Sequence, residues 1–372
     1  MIDLSLLKSL DAPEKSERLA ALKLAMETAD FPPVDLRMVN NHIHTTYSFS
    51  PYSPAAAVYA ARAEGLATCG IVDHDSIGGA EEFVEAGKIV GIPTTIGVET
   101  RVSFAETPLK NRRTNNPDQT VVSYMVLHAV PHQNIGMVQA YFAPLREKRN
   151  ARNKKMIGRI NALYQSDGVE IDFERDVLPL SQFRDGGSVT ERHLMLALAK
   201  QLIALGKAKL PEGADELTTM LAEYDLVGKL KKDCIPKVFV EATDECPVLG
   251  EYVRFANETG GILAYAYLGD VTQSVTGDKK AQKFEDDYLD ELFEIIDAAG
   301  IRAVTYMPTR NTQEQIARLR ALCERYGMLQ ISGEDINSPR QKFTIEKMKE
   351  EQFSNLIEST WELIRHESGT KE

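Results

Sequence analysis

Short apolar runs alternate with helix-length segments along this chain. That rhythm has few stable solutions: parallel strands in one sheet, with helices packed over it. Residues 34–44, 67–72, 93–102 and 121–130 read as the first four strands, with a polar loop over 109–119. Between the first two, Ser53 caps a helix with Pro54 at its first position, and Gly65 closes it. A second helix covers 79–90 and stops at Gly91. The rhythm breaks over 136–230, which is mostly helical and rich in charge, and resumes near 249. Gly260 and Gly261 open a strand running to 266, and further strands follow at 301–306 and 328–332. Between them, 284–299 is an amphipathic helix with Phe284, Tyr288, Leu292, Ile295 and Ile296 on one face, and 312–326 is another.

The expected organisation is an α/β barrel with additions, which suits a length of 372 residues. Residues 1–36 form an N-terminal helical extension broken near Pro13, and 37–135 the first part of the barrel. A helical insertion or lid follows over 136–247, then the second part of the barrel over 248–340. Residues 341–372 form a C-terminal helix with the only tryptophan, Trp361. Within the insertion, the basic stretch 146–155 has two readings: a solvated helix face, or a lid surface that meets an anionic substrate.

Hydrophobic residues at 43% and charged residues at 26% exclude bulk disorder. The 43 basic and 55 acidic residues leave a net charge of −12, which argues against a surface that coats nucleic acid. Cys69, Cys234, Cys246 and Cys323 form no C-x-x-C pair, so reduced, buried thiols are expected. The opening residues lack a basic and then apolar leader, and no apolar run approaches the roughly 18 residues of a membrane helix. The protein is expected in the cytoplasm and off the membrane. Oligomeric state is not legible.

Ligand-type side chains collect where the strands end. His42 and His44, spaced i, i+2, face one side of the first strand. Asp73-His74-Asp75 ends the second, Glu99 the third, His128 lies near the end of the fourth, and Asp335 follows the last. In a parallel barrel these ends converge on one rim. The resulting His/Glu/Asp set suits Mn, Zn or Fe, and Mg less well. His132 and His366 fall outside this pattern.

These residues carry a family resemblance. Asn41-His42-Ile43-His44-Thr45-Thr46-Tyr47-Ser48, Ile71-Val72-Asp73-His74-Asp75, Gly97-Val98-Glu99 and Leu127-His128 resemble the PHP (polymerase and histidinol phosphatase) superfamily. The match is best to its phosphoesterase branch, which acts on nucleotides and oligonucleotides, and covers roughly 38–340. Thr190-Glu191-Arg192-His193-Leu194 stands where that branch has an Arg-Pro-His-like motif. The resemblance implies a distorted seven-stranded barrel with two or three metals. His42, His44, Glu99 and Asp335 would hold the first, and Glu99 would bridge to a second with His128. His74 would belong to a third, with Asp73 beside it. Four positions depart from the pattern. Phe49 replaces an aspartate, Tyr267 and Asn337 replace histidines, and Glu191 replaces the arginine, with Arg192 next to it. One firm metal, a less secure second and little at the third are therefore expected. Water or a Tyr267 phenolate would fill the second site's gap, and His193 would compensate if the lid brings it in.

The leading functional expectation is a phosphoesterase that acts on a small phosphate ester, nucleotide or short oligonucleotide through a metal-activated water. Arg192, Arg101, Arg310 and the loop from Lys110 to Arg113 are the candidates for holding phosphate, and His193 or His74 for supplying a proton, with Asp73 alongside. A different hydrolysis at the same site would use Tyr267 and Asn337 as substrate contacts. A third reading is a non-catalytic relative with one metal or none, acting by binding.

Overall fold

The seven strands form one sheet whose spatial order is the order of the sequence. The computed structural model describes residues 4–271 and 282–369. The strands are β1 (Asp35–Ile43), β2 (Leu66–His74), β3 (Thr94–Ser103), β4 (Val122–His128), β5 (Ile262–Ala266), β6 (Ala303–Tyr306) and β7 (Leu329–Ser332). The sheet curls into a nearly closed barrel. Its seam is a parallel bridge between Ile43 and Ile336, where His44 N donates to Ile336 O at 2.9 Å and Ile336 N to His42 O at 3.1 Å. Asn40 Nδ2 adds a bond to the Glu334 carbonyl at 2.8 Å. The chain that follows β7 is thereby pinned to the end of β1.

The barrel is not wholly parallel, and here the sequence expectation is corrected. β4 runs antiparallel to both β3 and β5. The reason lies in residues 104–121, which contain no helix. A parallel return needs a long crossover, whereas this loop simply turns the chain back beside β3. β3 also runs longer than its ligand pattern suggested. Thr100 to Ser103 pair with β4, so Glu99 sits within the strand and not at its end.

Helices cover the outside. α1 (Leu4–Leu10) and α2 (Lys15–Met26) pack on α3 (Pro54–Ala63) and α4 (Ala80–Val90), and the break between the first two falls at Pro13 as expected. Arg18 fixes them with a buried two-pronged contact to Glu82 at 2.8 and 2.5 Å. Ser53 caps α3, its hydroxyl accepting from Ala56 N at 3.1 Å. The insertion consists of α5 (Ile135–Leu163), α6 (Glu191–Ala204), α7 (Glu216–Asp233) and the single turn α8 (Ile235–Val238). It has its own apolar core, including Met156, Ile160, Val177, Leu194 and Leu198. α9 (Leu249–Thr259), α10 (Leu289–Ala298) and α11 (Gln313–Tyr326) complete the barrel's second part. α12 (Ser354–Ser368) closes one side, where Glu367 accepts from Ile96 N at 2.7 Å and Thr360 from Asn41 Nδ2 at 2.7 Å. Residues 370–372, read as part of the C-terminal helix, lie outside the described residues. Among the described residues no helix is long and apolar enough to cross a membrane. All four cysteines are free and buried, as expected.

Gly97 sets how closely β3 and β4 approach beneath Glu99. A Cβ there would meet the Leu127 carbonyl at 2.4 Å and Val72 Cγ1 at 3.0 Å. Backbone cannot yield as a flexible side chain does, so Gly97→Ala should destabilise the fold by about 1–3 kcal/mol. Urea unfolding should show a lower midpoint at an unchanged slope; an unaltered midpoint would refute this account of the strand spacing.

Candidate metal centre

Five side chains from the barrel strands and the segment after β7 meet inside one end. His42 lies in β1 and His44 just beyond it, on the same face. His74 ends β2, Glu99 comes from β3, and Asp335 arrives through the seam after β7. Glu99 Oε2 lies 3.0 Å from His74 Nδ1, 3.6 Å from His42 Nε2 and 3.6 Å from His44 Nε2. His44 Nε2 is also 3.4 Å from Asp335 Oδ1. The ligand atoms of His42, His44 and Asp335 all lie within 4.8 Å of one another, and so do those of His44, His74 and Glu99. Geometry thus groups His74 with Glu99 and His44 and not with a separate third set.

A hydrogen-bond relay fixes the state of His44. Asp73 is buried and accepts from Thr45 N at 2.6 Å, Thr45 Oγ1 at 2.5 Å and Ser48 Oγ at 2.5 Å. Ser48 has one proton and spends it on Asp73. Its oxygen, 3.2 Å from His44 Nδ1, must therefore accept from that nitrogen. His44 is then the neutral tautomer with a bare lone pair on Nε2. Burial, and next the charge of His74, push its pKa down to about 3, consistent with that state. The lone pair is buried with no hydrogen-bond partner among the described residues, yet it lies beside Glu99 and Asp335. Three electron-rich groups facing one another repel unless a cation lies among them. That is the donor set and protonation state a divalent metal requires.

The carboxylates are prepared in the same sense. Burial alone would raise Glu99, but the charges of His74 and His42 outweigh it and hold Glu99 well below the usual range. Asp335 is likewise lowered against burial, by His44 and His42. Asn337 Nδ2 donates to Asp335 Oδ1 at 2.6 Å, so the asparagine orients a candidate ligand where a histidine was expected.

The remaining expected residues divide sharply. His128 enters the barrel on the antiparallel strand, so it does not end on the same rim as the other ligands. Its partnerless, buried Nε2 is nonetheless close enough to His42 and Glu99 for their charges to act on it, and burial pushes its pKa down to about 3. Asp73 accepts from three donors, two on Oδ1 and one on Oδ2, and so orients Thr45 and Ser48. His193 Nδ1 accepts from Thr190 N at 2.9 Å as part of the α6 cap, and burial holds the ring neutral with a pKa near 3. A neutral imidazole with that pKa is no proton donor at neutral pH.

Arg101, expected at the substrate, is buried between Glu191 at 3.2 Å and Glu245 at 2.8 Å. Glu191 also takes Arg149 at 2.7 Å and Arg152, while Arg149 bonds Asp75 at 2.5 Å. The basic stretch 146–155 is thus split by helix period. Arg146, Arg149 and Arg152 turn inward into this network, whereas Lys148, Lys154 and Lys155 face solvent. Tyr267 is buried, and its hydroxyl donates to Asp286 at 2.6 Å. Burial and that bond drive its pKa far up, so it offers neither a phenolate ligand nor a substrate contact. Arg310 Nε donates to the Leu268 carbonyl at 3.2 Å and does not line the cleft. Arg192 does line it, its guanidinium 6.0 Å from the Phe49 ring centroid.

The cleft over the cluster has a volume of about 900 Å³ including its open mouth. His42, His74, Glu99 and Asp335 form its floor, and Arg192, Lys231, Tyr124 and Asp118 stand around it. Sequence reasoning missed Tyr124, Asp118 and Lys231. Tyr124 had a signal. It lies on the same strand face as His128, four residues earlier, and its ring is 5.8 Å from that of His74. Reading β4 in the reverse direction would have placed it at this rim.

Residues 40–161 match the family model of the PHP domain. That matched segment is a PHP domain. Two solved structures share the fold. One, from Bifidobacterium adolescentis, is provisionally described as a metal-dependent phosphoesterase; it is 20% identical, with a TM-score of 0.57, over 88% of this chain and 96% of its own. The other is described as an amidohydrolase from Chromobacterium violaceum with bound sulfate and no metal. It is 18% identical, with a TM-score of 0.56, over 82% of this chain and 89% of its own. A search of curated proteins finds no match. The PHP barrel, expected from the motifs, is the observed fold. The matched segment contains His42, His44, Asp73, His74, Glu99 and His128, whereas Asp335 lies beyond it.

Two outcomes are expected from this geometry. Ser48→Ala removes the relay that orients His44, and should weaken Mn or Zn binding by about 10–100-fold in calorimetric titration. Equal affinity would sink the relay. His193 stays neutral in the folded protein but takes a proton near pH 6.5 when unfolded. It therefore favours unfolding increasingly as pH falls below 6.5, with a slope of at most about 1.4 kcal/mol per pH unit. His193→Gln keeps a capping side chain and should flatten the acid-side decline of the melting temperature; an identical profile would rule this out.

Proposed function

We propose that this protein is a metal-dependent hydrolase, and specifically a phosphoesterase for a small phosphate ester, nucleotide or short oligonucleotide. The observation that carries the reading is the neutral, partnerless His44 Nε2 held between Glu99 and Asp335. His42, His44, Glu99 and Asp335 would hold a divalent ion of Mn, Zn or Fe. His74 and His128 would complete a second position with Glu99. When bound, such ions supply Lewis acidity and a water of lowered pKa.

This chain's own residues then have distinct tasks. Asp73 positions His44 through Ser48, and Asn337 positions Asp335. Arg192 faces the cleft and offsets charge on a phosphoryl group. Tyr124 and the loop carrying Asp118 line the same cleft as Asp335 and Asn337.

The second reading, a single-metal protein that binds without catalysis, draws support from one feature. Tyr267 and Asn337 stand where the family pattern has imidazoles, and both are engaged elsewhere, Tyr267 with Asp286 and Asn337 with Asp335. Elemental analysis of protein purified without chelator separates the two readings. Two equivalents of metal, with hydrolysis of an aryl phosphate or nucleoside monophosphate, are expected. Glu99→Gln should lower kcat by at least about 100-fold. One equivalent without activity would favour the binding reading, and no metal even after Mn and Zn titration would overturn both.

A further inference from the structure

We infer that Lys231, from the last turn of α7, pairs with Arg192 to form an anion-holding wall that grips the phosphoryl oxygens of a phosphate monoester. The inference rests on the phosphoesterase reading and adds a residue and a substrate class to it. Of the lysines at the end of α7, only Lys231 lines the cleft over the candidate metal centre, whereas Lys229 and Lys232 line a separate outer groove. Lys231 and Arg192 border both the inner and the outer part of that cleft, together with His74, Asp118, Tyr124 and Asn337.

Their pairing state sets these two cations apart. Arg101, Arg149 and Arg152 are all neutralised by Glu191, Glu245 and Asp75. Arg192 and Lys231 form no ion pair and donate no side-chain hydrogen bond among the described residues. Arg192 instead lies over Phe49, which stands where the family pattern has an aspartate. That substitution removes a carboxylate that would compete for the arginine. The nearby carboxylates act on Lys231 only at a distance, and burial followed by the Arg192 charge pushes its ammonium below the usual range. Two partly desolvated cations side by side are costly unless an anion joins them. A dianionic monoester group satisfies both, whereas a phosphodiester carries a single charge and satisfies them less. The same cleft is also lined by Leu268, Phe284 and Met307, apolar surface that suits the carbon side of the ester.

The test uses the full-length protein, Lys231→Met, Lys231→Arg and Lys231→Gln, with an aryl phosphate and inorganic phosphate as probes. Lys231→Met should raise both KM for the aryl phosphate and Kd for phosphate, the latter measured calorimetrically on metal-free protein, by about 10–100-fold. Metal content should hold, kcat should change less than KM, and Lys231→Arg should restore most of the affinity. Lys231→Gln serves if the Met variant unfolds. Unchanged KM and Kd in an active Met variant would overturn the inference and leave the phosphoesterase reading intact. Phosphate binding that depends on Lys231, in a protein that hydrolyses no phosphate ester, would support the anion wall and overturn that reading. A wild-type protein that binds no phosphate would overturn the wall.

Discussion

A carboxylate surrounded by imidazoles inside a barrel governs this architecture. Glu99 stands within 3.0 to 3.6 Å of three histidines contributed by two neighbouring strands. Each of those strands must end, or be braced, at the right height for this to happen. β3 is braced by its pairing with β4 as far as Ser103, and Gly97 lets the two strands approach closely below Glu99. Asp335 completes the cluster only because the segment after β7 is bonded to β1 at Ile43 and His44. Closure of the sheet and assembly of the site are therefore one event.

The insertion is attached by a different kind of force. Glu191, at the first position of α6, gathers Arg101 from the barrel and Arg149 and Arg152 from α5. Desolvating these ions is expensive, and removing any one partner would strand the others. Their mutual satisfaction gives the insertion one orientation over the rim. It also explains why an acid at position 191 is compatible with a site for anions. The acid borders the inner part of the cleft but is wholly occupied by arginines, and the unpaired cations that face the cleft are Arg192, next to it, and Lys231 from α7.

Much of this was legible in the chain, for reasons that can be named. The i, i+2 spacing of His42 and His44 needs only an extended strand to bring both to one face, and the capped, glycine-stopped helices follow from local chemistry. The barrel, and the gathering of His42, His44, His74, Glu99 and Asp335 at one end of it, were expected from those signals together with the strand–helix rhythm and the motif resemblance. What failed was directional or long-range. Strand polarity at β4 depends on whether a loop contains a helix, and His128 and Tyr124 exchanged ends accordingly. Arg101, Arg310 and Tyr267 looked like substrate contacts because charge and polarity carry no record of distant partners. Glu245, Leu268 and Asp286 proved to be those partners. Lys231 is one of three lysines within four residues, and only the packing of α7 singles it out.

The unpaired cations of the cleft sit within a protein of net charge −12. The far field of such a molecule is repulsive to an approaching anion, and the attraction begins only near the mouth. Salt shortens the reach of the first effect more than that of the second, because the Debye length is about 8 Å at physiological ionic strength and the cleft is partly shielded from solvent. Association with the proposed phosphate ester would thus be governed by a barrier at long range and a well at short range. Added salt lowers that barrier, the reverse of its effect on proteins that steer anions with a basic surface. A long polyanion, which cannot fit its whole length into the well, meets the repulsion along the rest of its contour.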